Sequence, residues 1–133
     1  MSASLRFAGY AALFGRRDAG GDVIAPGAFA RSLAEHSAPF PLLWQHRPDV
    51  RIGWVESVAE DKRGLRVTAR IDAADGGAAA ALKRGAVTGL SFGYRVRAGS
   101  RDGAGRQLSD VQLFEVSLVT HPMQNAARVH MLA

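Results

Sequence analysis

The stretch VTGLSFGYRVRAGSRDGAGRQLSDVQLFEVSLVT, residues 87–120, decides the fold because it holds two long strand signals joined by a glycine-rich segment. Residues 87–98 and 106–120 are rich in β-branched and aromatic side chains, and they alternate between apolar and polar positions as strands do. The connecting sequence GSRDGAG, residues 99–105, favours a reversal of the chain. We therefore predict a long antiparallel hairpin.

Upstream of this hairpin the sequence predicts more strands and two short helices. The predicted strands are residues 5–14, 41–46, 51–60 and 65–71, the last two joined by the turn sequence DKRG. The predicted helices are residues 27–36 and 73–85, the second capped by Asp75 and ended by Gly85. Six or seven strands with one or two helices indicate an α+β, mainly β fold, as a single domain over residues 1–133. The tail after Pro122 is predicted to lie outside the central ladder.

Composition excludes several classes of protein. The chain has 133 residues, 47% of them hydrophobic, and no cysteine, which excludes disulfide frameworks, thiolate zinc sites and cysteine nucleophiles. The acidic loops at 18–22 and 72–76 lack the spacing of a calcium loop, so we predict no metal and no cofactor. No apolar run approaches the roughly 20 residues that span a bilayer. We expect a soluble cytosolic protein that does not bind a membrane.

The basic charge does not form a nucleic-acid-binding pattern. The net charge is +5, from 17 basic and 12 acidic residues, and all the basic residues except Lys62 and Lys83 are arginine. These charges are scattered along turns and strands, whereas nucleic-acid binding favours a clustered face interleaved with aromatic residues. The sequence therefore argues against nucleic acid as a partner. A mobility assay at two salt concentrations tests that class directly.

The last predicted strand carries an isolated carboxylate. Alternation places Glu115 and Ser117 on one face of LFEVSLVT, opposite an apolar face. A carboxylate among apolar residues needs a cation, a histidine or backbone donors as its partner. Arg95, across the hairpin, is one candidate partner, and a histidine is another.

Two residues are candidates for nucleophilic chemistry. In GLSFGY, residues 89–94, Ser91 is either part of a small polar face of an edge strand or a nucleophile with space around it. His46 ends the strand PLLWQH and is either a base or a structural histidine packed beside Trp44. A serine becomes nucleophilic when a base within about 2.6–3.2 Å takes its proton and a third group orients that base. Residue types alone allow a hydrolase without requiring one.

Five motifs in order resemble the prohead protease family of tailed bacteriophages. They are GYAALFGRRDAGGDVIAPGAFARSL, PLLWQH, IGWV, LKRGAVTGLSFGYRV and DVQLFEVSLVTHPMQNAARV, and they cover about residues 7–129. The resemblance implies a fold like that of the herpesvirus assembly proteases: a closed antiparallel β-barrel with peripheral helices. The chain is short for that family, as expected of a compact member from a gene transfer agent or small prophage, or of a trimmed chain.

The resemblance also assigns roles to residues of this chain. It implies Ser91 as nucleophile, His46 as general base and Glu115 as third member of the triad. His121 is the alternative third member, because the herpesvirus relatives use a second histidine. Many members of the phage family have Pro-Ala-Asn-Pro after the last strand, where this chain has HPMQNAA.

Further expectations concern the neighbourhood of the nucleophile. Gly89 and Gly93 would leave room for a substrate backbone beside Ser91. The amide of Phe92, or those of the turn at Thr120 and His121, would stabilise the developing oxyanion.

The function implied is a serine endopeptidase of capsid maturation. Its substrate would be scaffold or the N-terminal scaffolding segment of the major capsid protein, with self-cleavage as a further reaction. We expect a homo-oligomer, because herpesvirus relatives form dimers, located inside the assembling prohead in the host bacterial cytoplasm. The alternative is a catalytically inactive, protease-like component that binds scaffold or capsid protein.

Overall fold

A computed structural model describes residues 3–103 and 105–132. In these residues the chain forms eight strands and two helices. The strands are β1 (Leu5–Leu13), β2 (Asp22–Ile24), β3 (Phe40–Trp44), β4 (Arg47–Glu60), β5 (Gly64–Ile71), β6 (Gly89–Asp102), β7 (Gly105–Val119) and β8 (Val129–Leu132). The helices are α1 (Ala30–Glu35) and α2 (Gly77–Lys83). The prediction of a mainly β fold is confirmed, and the eight strands are one more than the six or seven that the sequence indicated.

All eight strands belong to one strongly curled sheet. Its order is β2-β7-β3-β4-β5-β1-β8, and β6 pairs with β7 outside that path. Most pairs are antiparallel, but β2 and β3 both run parallel to β7. Over the described residues the sheet forms an open half-barrel, so the expectation of a closed antiparallel barrel is wrong. The segment before β8 meets β6 at an isolated bridge between Gly89 and Arg128.

The hairpin of β6 and β7 is longer than the sequence pattern indicated. Pairing continues from Gly89 opposite Val119 out to Asp102 opposite Gly105. The predicted loop at 99–105 is therefore mostly strand, and its residue 104 lies outside the described residues. Two further strands were missed, β2 and β8, which are short and pair with β7 and β1.

Helix boundaries also differ from the prediction. Both helices are shorter, and α2 begins after Gly76 without a side-chain cap, so the assignment of Asp75 as cap is wrong. Gly85, just beyond α2, has a φ of 76°, the left-handed conformation in which glycine commonly ends a helix. Alanine-rich α2 is held mainly by its buried face, which includes Ala79 and Leu82.

A partly buried ion pair attaches β2 to the hairpin. Asp22, 6% exposed, accepts two hydrogen bonds from the Arg106 guanidinium, at 2.9 and 2.8 Å, and a third from the Tyr94 hydroxyl at 3.3 Å. The Arg106 hydrogen bonds lower the pKa of the Asp22 carboxyl. A bidentate pair of this kind fixes orientation as well as charge.

The core is one cluster of buried side chains drawn from the sheet, the helices and the segments that connect them. Its largest fully buried side chains are Phe29, Phe40, Ile24, Leu42, Leu65, Ile71, Leu90, Leu108 and Leu118. Leu90 and Phe92 are both buried, as their alternation with Ser91 predicted. The apolar face of β6 therefore fixes the direction in which Ser91 points.

Candidate active site

A tight turn after β3 presents His46. Gln45 and His46 have φ values of 53° and 60°, two consecutive left-handed residues that are not glycine. This conformation costs free energy and persists only where surrounding contacts hold it. The Gln45 amide donates to the Leu118 carbonyl at 3.0 Å, and the His46 amide donates to the Ser117 hydroxyl at 3.1 Å.

The Gln45 side chain supplies further contacts to the turn. Its Nε2 donates to the Thr120 hydroxyl at 2.7 Å, and its Oε1 accepts from the Thr120 amide at 3.0 Å. The end of β3 is thus fastened to the end of β7 by both backbone and side-chain hydrogen bonds. The Thr120 amide, which the sequence suggested as an oxyanion donor, thus donates to Gln45 in this structure.

Glu115 meets His46. Glu115 Oε1 lies 2.7 Å from His46 Nδ1, and Glu115 Oε2 accepts a hydrogen bond of 2.7 Å from the Ser117 hydroxyl. The Glu115 side chain is 13% exposed and that of His46 is 42% exposed. Arg95, the alternative partner, instead lies opposite Gln112 in the hairpin register. The carboxylate that the sequence singled out has a histidine as its partner.

The contact with Glu115 sets the chemistry of the His46 ring. Hydrogen bonding to Glu115 raises the pKa of His46 above its ordinary value, and partial burial opposes that rise. With Nδ1–H donating to the carboxylate, the neutral ring keeps its lone pair on Nε2. An imidazole held in this tautomer can accept a proton at Nε2.

Ser91 lies on the strand next to this pair. Ser91 is directly opposite Ser117 in the β6–β7 register, so the two side chains share a face, with Cβ atoms about 4.5–5.5 Å apart. Ser117 itself contacts both His46 and Glu115. Ser91 is 3% exposed, and no residue in the described parts of the chain forms a hydrogen bond with its hydroxyl. The structure thus joins His46 to Glu115 and places Ser91 across from their shared neighbour.

His121 does not join this group. It follows β7 and is exposed, and within the described residues no hydrogen bond connects it with His46 or Glu115. As an alternative third member it has no contact to support it, whereas Glu115 has one.

The two glycines beside Ser91 are covered by the chain itself. A Cβ on Gly89 would lie 2.7 Å from a Pro122 ring carbon and from the Val119 carbonyl oxygen. A Cβ on Gly93 would lie 2.5 Å from Glu115 Oε1. The expected room for a substrate backbone is therefore filled by protein atoms at both positions.

The amide of Phe92 is available as a donor. The Leu90 amide points away from β7 and donates to the Ala127 carbonyl at 2.8 Å. Alternation along a strand places the Phe92 amide at the same outer edge. In the described chain no strand pairs with β6 at that point.

Sequence reasoning missed the roles of Gln45 and Ser117. The alternation of side chains along the strand placed Ser117 on the same face as Glu115, so the sequence could have predicted that the two side chains lie close together. Nothing in the sequence indicated that the Ser117 hydroxyl would bridge Glu115 and the His46 amide. The described residues contain no group of three or more histidine or carboxylate side chains arranged to hold a metal ion.

Herpesvirus proteases are among the solved structures with a similar architecture. The protease of Kaposi's sarcoma-associated herpesvirus, solved with a hexapeptide phosphonate inhibitor, matches 98% of this chain and 65% of its own, with a TM-score of 0.63 and 15% identity. The varicella-zoster virus protease matches 96% of this chain and 64% of its own, with a TM-score of 0.63 and 17% identity. At such identities the likeness shows the fold, which is herpesvirus protease-like.

Sequence comparison then gives the family. A family model described as caudovirus prohead serine protease matches residues 2–133. The prohead protease of Enterobacteria phage HK97 is 34% identical, over 92% of this chain and 58% of its own length. The chain belongs to the caudovirus prohead serine protease family, as its motifs predicted, and it spans little more than half the length of that curated relative.

Proposed function

We propose that this chain is a serine endopeptidase of capsid maturation. Its substrate is scaffold, or the N-terminal scaffolding segment of the major capsid protein, in the prohead of a phage or gene transfer agent. Membership of the prohead serine protease family supports the reaction class, and the name of the HK97 relative supports the setting. The observation that carries the proposal is the 2.7 Å contact between His46 Nδ1 and Glu115, one strand away from Ser91.

In the proposed mechanism Ser91 is the nucleophile and His46 the base. The Ser91 oxygen attacks the scissile carbonyl carbon while its proton passes to His46 Nε2, and Glu115 stabilises the imidazolium that forms. The Phe92 amide donates to the oxyanion of the tetrahedral intermediate, a contact of a kind whose loss typically costs about 10²–10³ in rate. His46 then gives its proton to the leaving amine. Water, activated by the same ring, hydrolyses the acyl ester.

This mechanism requires a hydrogen bond between Ser91 and His46 that the described chain does not contain. Proton transfer needs Ser91 Oγ within about 2.6–3.2 Å of His46 Nε2, and no hydrogen bond joins the two residues in the described chain. We propose that substrate binding or prohead assembly brings them together. The near-complete burial of Ser91 also favours a second candidate, a catalytically inactive component that binds scaffold or capsid protein.

The proposed setting follows from the family. The protein acts inside the assembling prohead in the host bacterial cytoplasm, on capsid or scaffold protein, on itself, and as a homo-oligomer. Within the described residues no helix is long and apolar enough to cross a membrane. The prediction that nucleic acid is not a partner remains a part of this proposal.

The first experiment is intact-mass analysis after treatment with a fluorophosphonate probe. Wild type, Ser91→Ala and His46→Ala are compared, with Ser109→Ala as a control because Ser109 is an exposed serine of β7. A single adduct on wild type and on the control, absent from the other two variants, is the expected result. An adduct that survives Ser91→Ala would place the reactive residue elsewhere.

A second experiment separates assembly-gated activity from inactivity. The same proteins are co-expressed with a major capsid protein that carries its N-terminal scaffolding segment, and cleavage is followed by mass spectrometry. Cleavage that requires Ser91 supports the protease. Intact capsid protein in all cultures, together with a stable complex between the two proteins, would favour the inactive binding component.

A further inference from the structure

The bare Cα of Gly93 lies against the Glu115 side chain. Gly93 on β6 is directly opposite Glu115 on β7. A Cβ built on Gly93 would lie 2.5 Å from Glu115 Oε1, 2.9 Å from Cγ and 3.0 Å from Cδ. The three nearest atoms thus belong to one side chain, and two of them, Oε1 and Cγ, lie closer than a real Cβ allows. No other residue type leaves the carboxylate where it is.

Backbone geometry does not explain this glycine. Gly93 does not have a positive φ, so alanine could adopt the same backbone conformation. At Gly53 and Gly64, by contrast, a Cβ would lie 1.7 and 2.0 Å from backbone carbonyl oxygens of neighbouring strands. Those two glycines allow strands to approach each other. At Gly93 the nearest atoms all belong to one side chain, whose carboxylate end can move, so we expect the fold to tolerate the substitution.

The atom nearest to that Cβ is the one that binds His46. Glu115 Oε1 accepts from His46 Nδ1 at 2.7 Å, and Oε2 accepts from the Ser117 hydroxyl at 2.7 Å. The carboxylate is therefore confined between the imidazole, the Ser117 hydroxyl and the Gly93 Cα. Moving Oε1 away from Gly93 changes its contact with the imidazole.

We propose that Gly93 is a positioning residue, whose missing side chain lets the Glu115 carboxylate orient His46. The importance of this role for catalysis rests on the proposed function. The effect of Gly93 on the position of the Glu115 carboxylate does not. Gly93 touches neither the reacting atoms nor the base, and it acts through Glu115. Gly93, two residues after Ser91, thus makes room for the Glu115 carboxylate, which orients the His46 ring.

The test is a double-mutant cycle read out on the His46 ring. The pKa of His46 is followed by NMR of the labelled imidazole in wild type, Gly93→Ala, Glu115→Ala and the double variant. The chain has four histidines, and the His46 signal is assigned by its loss in His46→Gln. Glu115 is the charged group that acts on the ring, and Ser117 and Gln45 contribute uncharged contacts nearby. The control is Gly103→Ala, because a Cβ at Gly103 meets open space.

We expect Gly93→Ala to lower the pKa of His46 toward its ordinary value, as Glu115→Ala does. In the Glu115→Ala background Gly93→Ala should cause no further shift, because there is no carboxylate left to displace. An unchanged pKa in Gly93→Ala would overturn the proposal. A shift of equal size in both backgrounds would do so too, since it would show that Gly93 acts without Glu115.

Labelling by the fluorophosphonate probe distinguishes this inference from the proposed function. If both hold, Gly93→Ala lowers the labelling rate of Ser91 by about 10²-fold or more while circular dichroism shows a folded protein. If the pKa cycle gives the expected pattern but wild type is neither labelled nor able to cleave co-expressed capsid protein, then Gly93 positions Glu115 in a protein that is not a protease. If labelling works but the pKa cycle fails, the protease proposal stands without this role for Gly93.

Discussion

At the scale of single residues, the contact between His46 and Glu115 determines how activity should depend on pH. The hydrogen bond to Glu115 raises the pKa of His46, and a general base works only in its neutral form. We expect Glu115→Gln to lower that pKa, so that the acid limb of the probe-labelling profile moves to lower pH. The maximal rate should fall by about 10²-fold or more, because glutamine neither stabilises the imidazolium nor fixes the tautomer. Labelling rates across the neutral pH range test this.

A matched variant and a stability measurement complete that test. Glu56→Gln is the control, because Glu56 is paired with Arg6 away from the site. A raised pKa in the folded state also means that the pair stabilises the protein below the ordinary pKa of histidine, and that this contribution is lost as pH rises through the folded value. The difference in unfolding free energy between wild type and Glu115→Gln should shrink over that interval. An identical labelling midpoint in the two proteins would contradict the assignment.

At the scale of elements, the sequence predicted the features that follow from the alternation of apolar and polar side chains along a strand. The long strands β6 and β7 and the face shared by Glu115 and Ser117 follow from a period of two. The strands β2 and β8 are too short to carry a pattern of their own, and they exist because β7 and β1 offer them edges. The contact between His46 and Glu115 was also beyond the sequence, because it depends on two consecutive left-handed residues, Gln45 and His46, and the enrichment of histidine in that conformation is too weak to predict such a turn.

That turn makes Gln45 a sensitive position. Gln45→Ala removes two side-chain hydrogen bonds to Thr120, each worth about 0.5–1.5 kcal/mol, from a turn whose backbone conformation is already unfavourable. We expect faster hydrogen exchange at the His46 and Thr120 amides and slower labelling of Ser91. NMR exchange measurements test the first effect and the fluorophosphonate probe the second. Gln107→Ala, at an exposed position of β7, should change neither. Equal protection in wild type and Gln45→Ala would show that the backbone hydrogen bonds alone hold the turn.

At the scale of the whole molecule, the segment after β7 holds the open sheet together. The sequence placed this tail outside the ladder, yet Gln124 within it is 6% exposed and clamps the end of β1. Its Oε1 accepts from the Leu13 amide at 2.6 Å, and its Nε2 donates to the Leu13 carbonyl at 2.9 Å. Three residues on, the Ala127 carbonyl accepts from the Leu90 amide of β6. The tail therefore connects β1 with the strand that carries Ser91.

This connection predicts that a substitution far from the proposed triad affects Ser91. Gln124→Ala leaves the Leu13 amide and carbonyl without these partners, and we expect it to lower the free energy of unfolding by about 1–3 kcal/mol. Because the tail also holds Leu90, the Leu90 amide should exchange faster and Ser91 should be labelled more slowly, even where the variant is fully folded. Urea unfolding, amide exchange and probe labelling measure the three effects, with Gln107→Ala expected to stay within about 0.5 kcal/mol of wild type. Loss of stability with unchanged exchange at Leu90 would mean that the clamp on β1 and the support of β6 are independent, and that β6 is held by its hairpin with β7 alone.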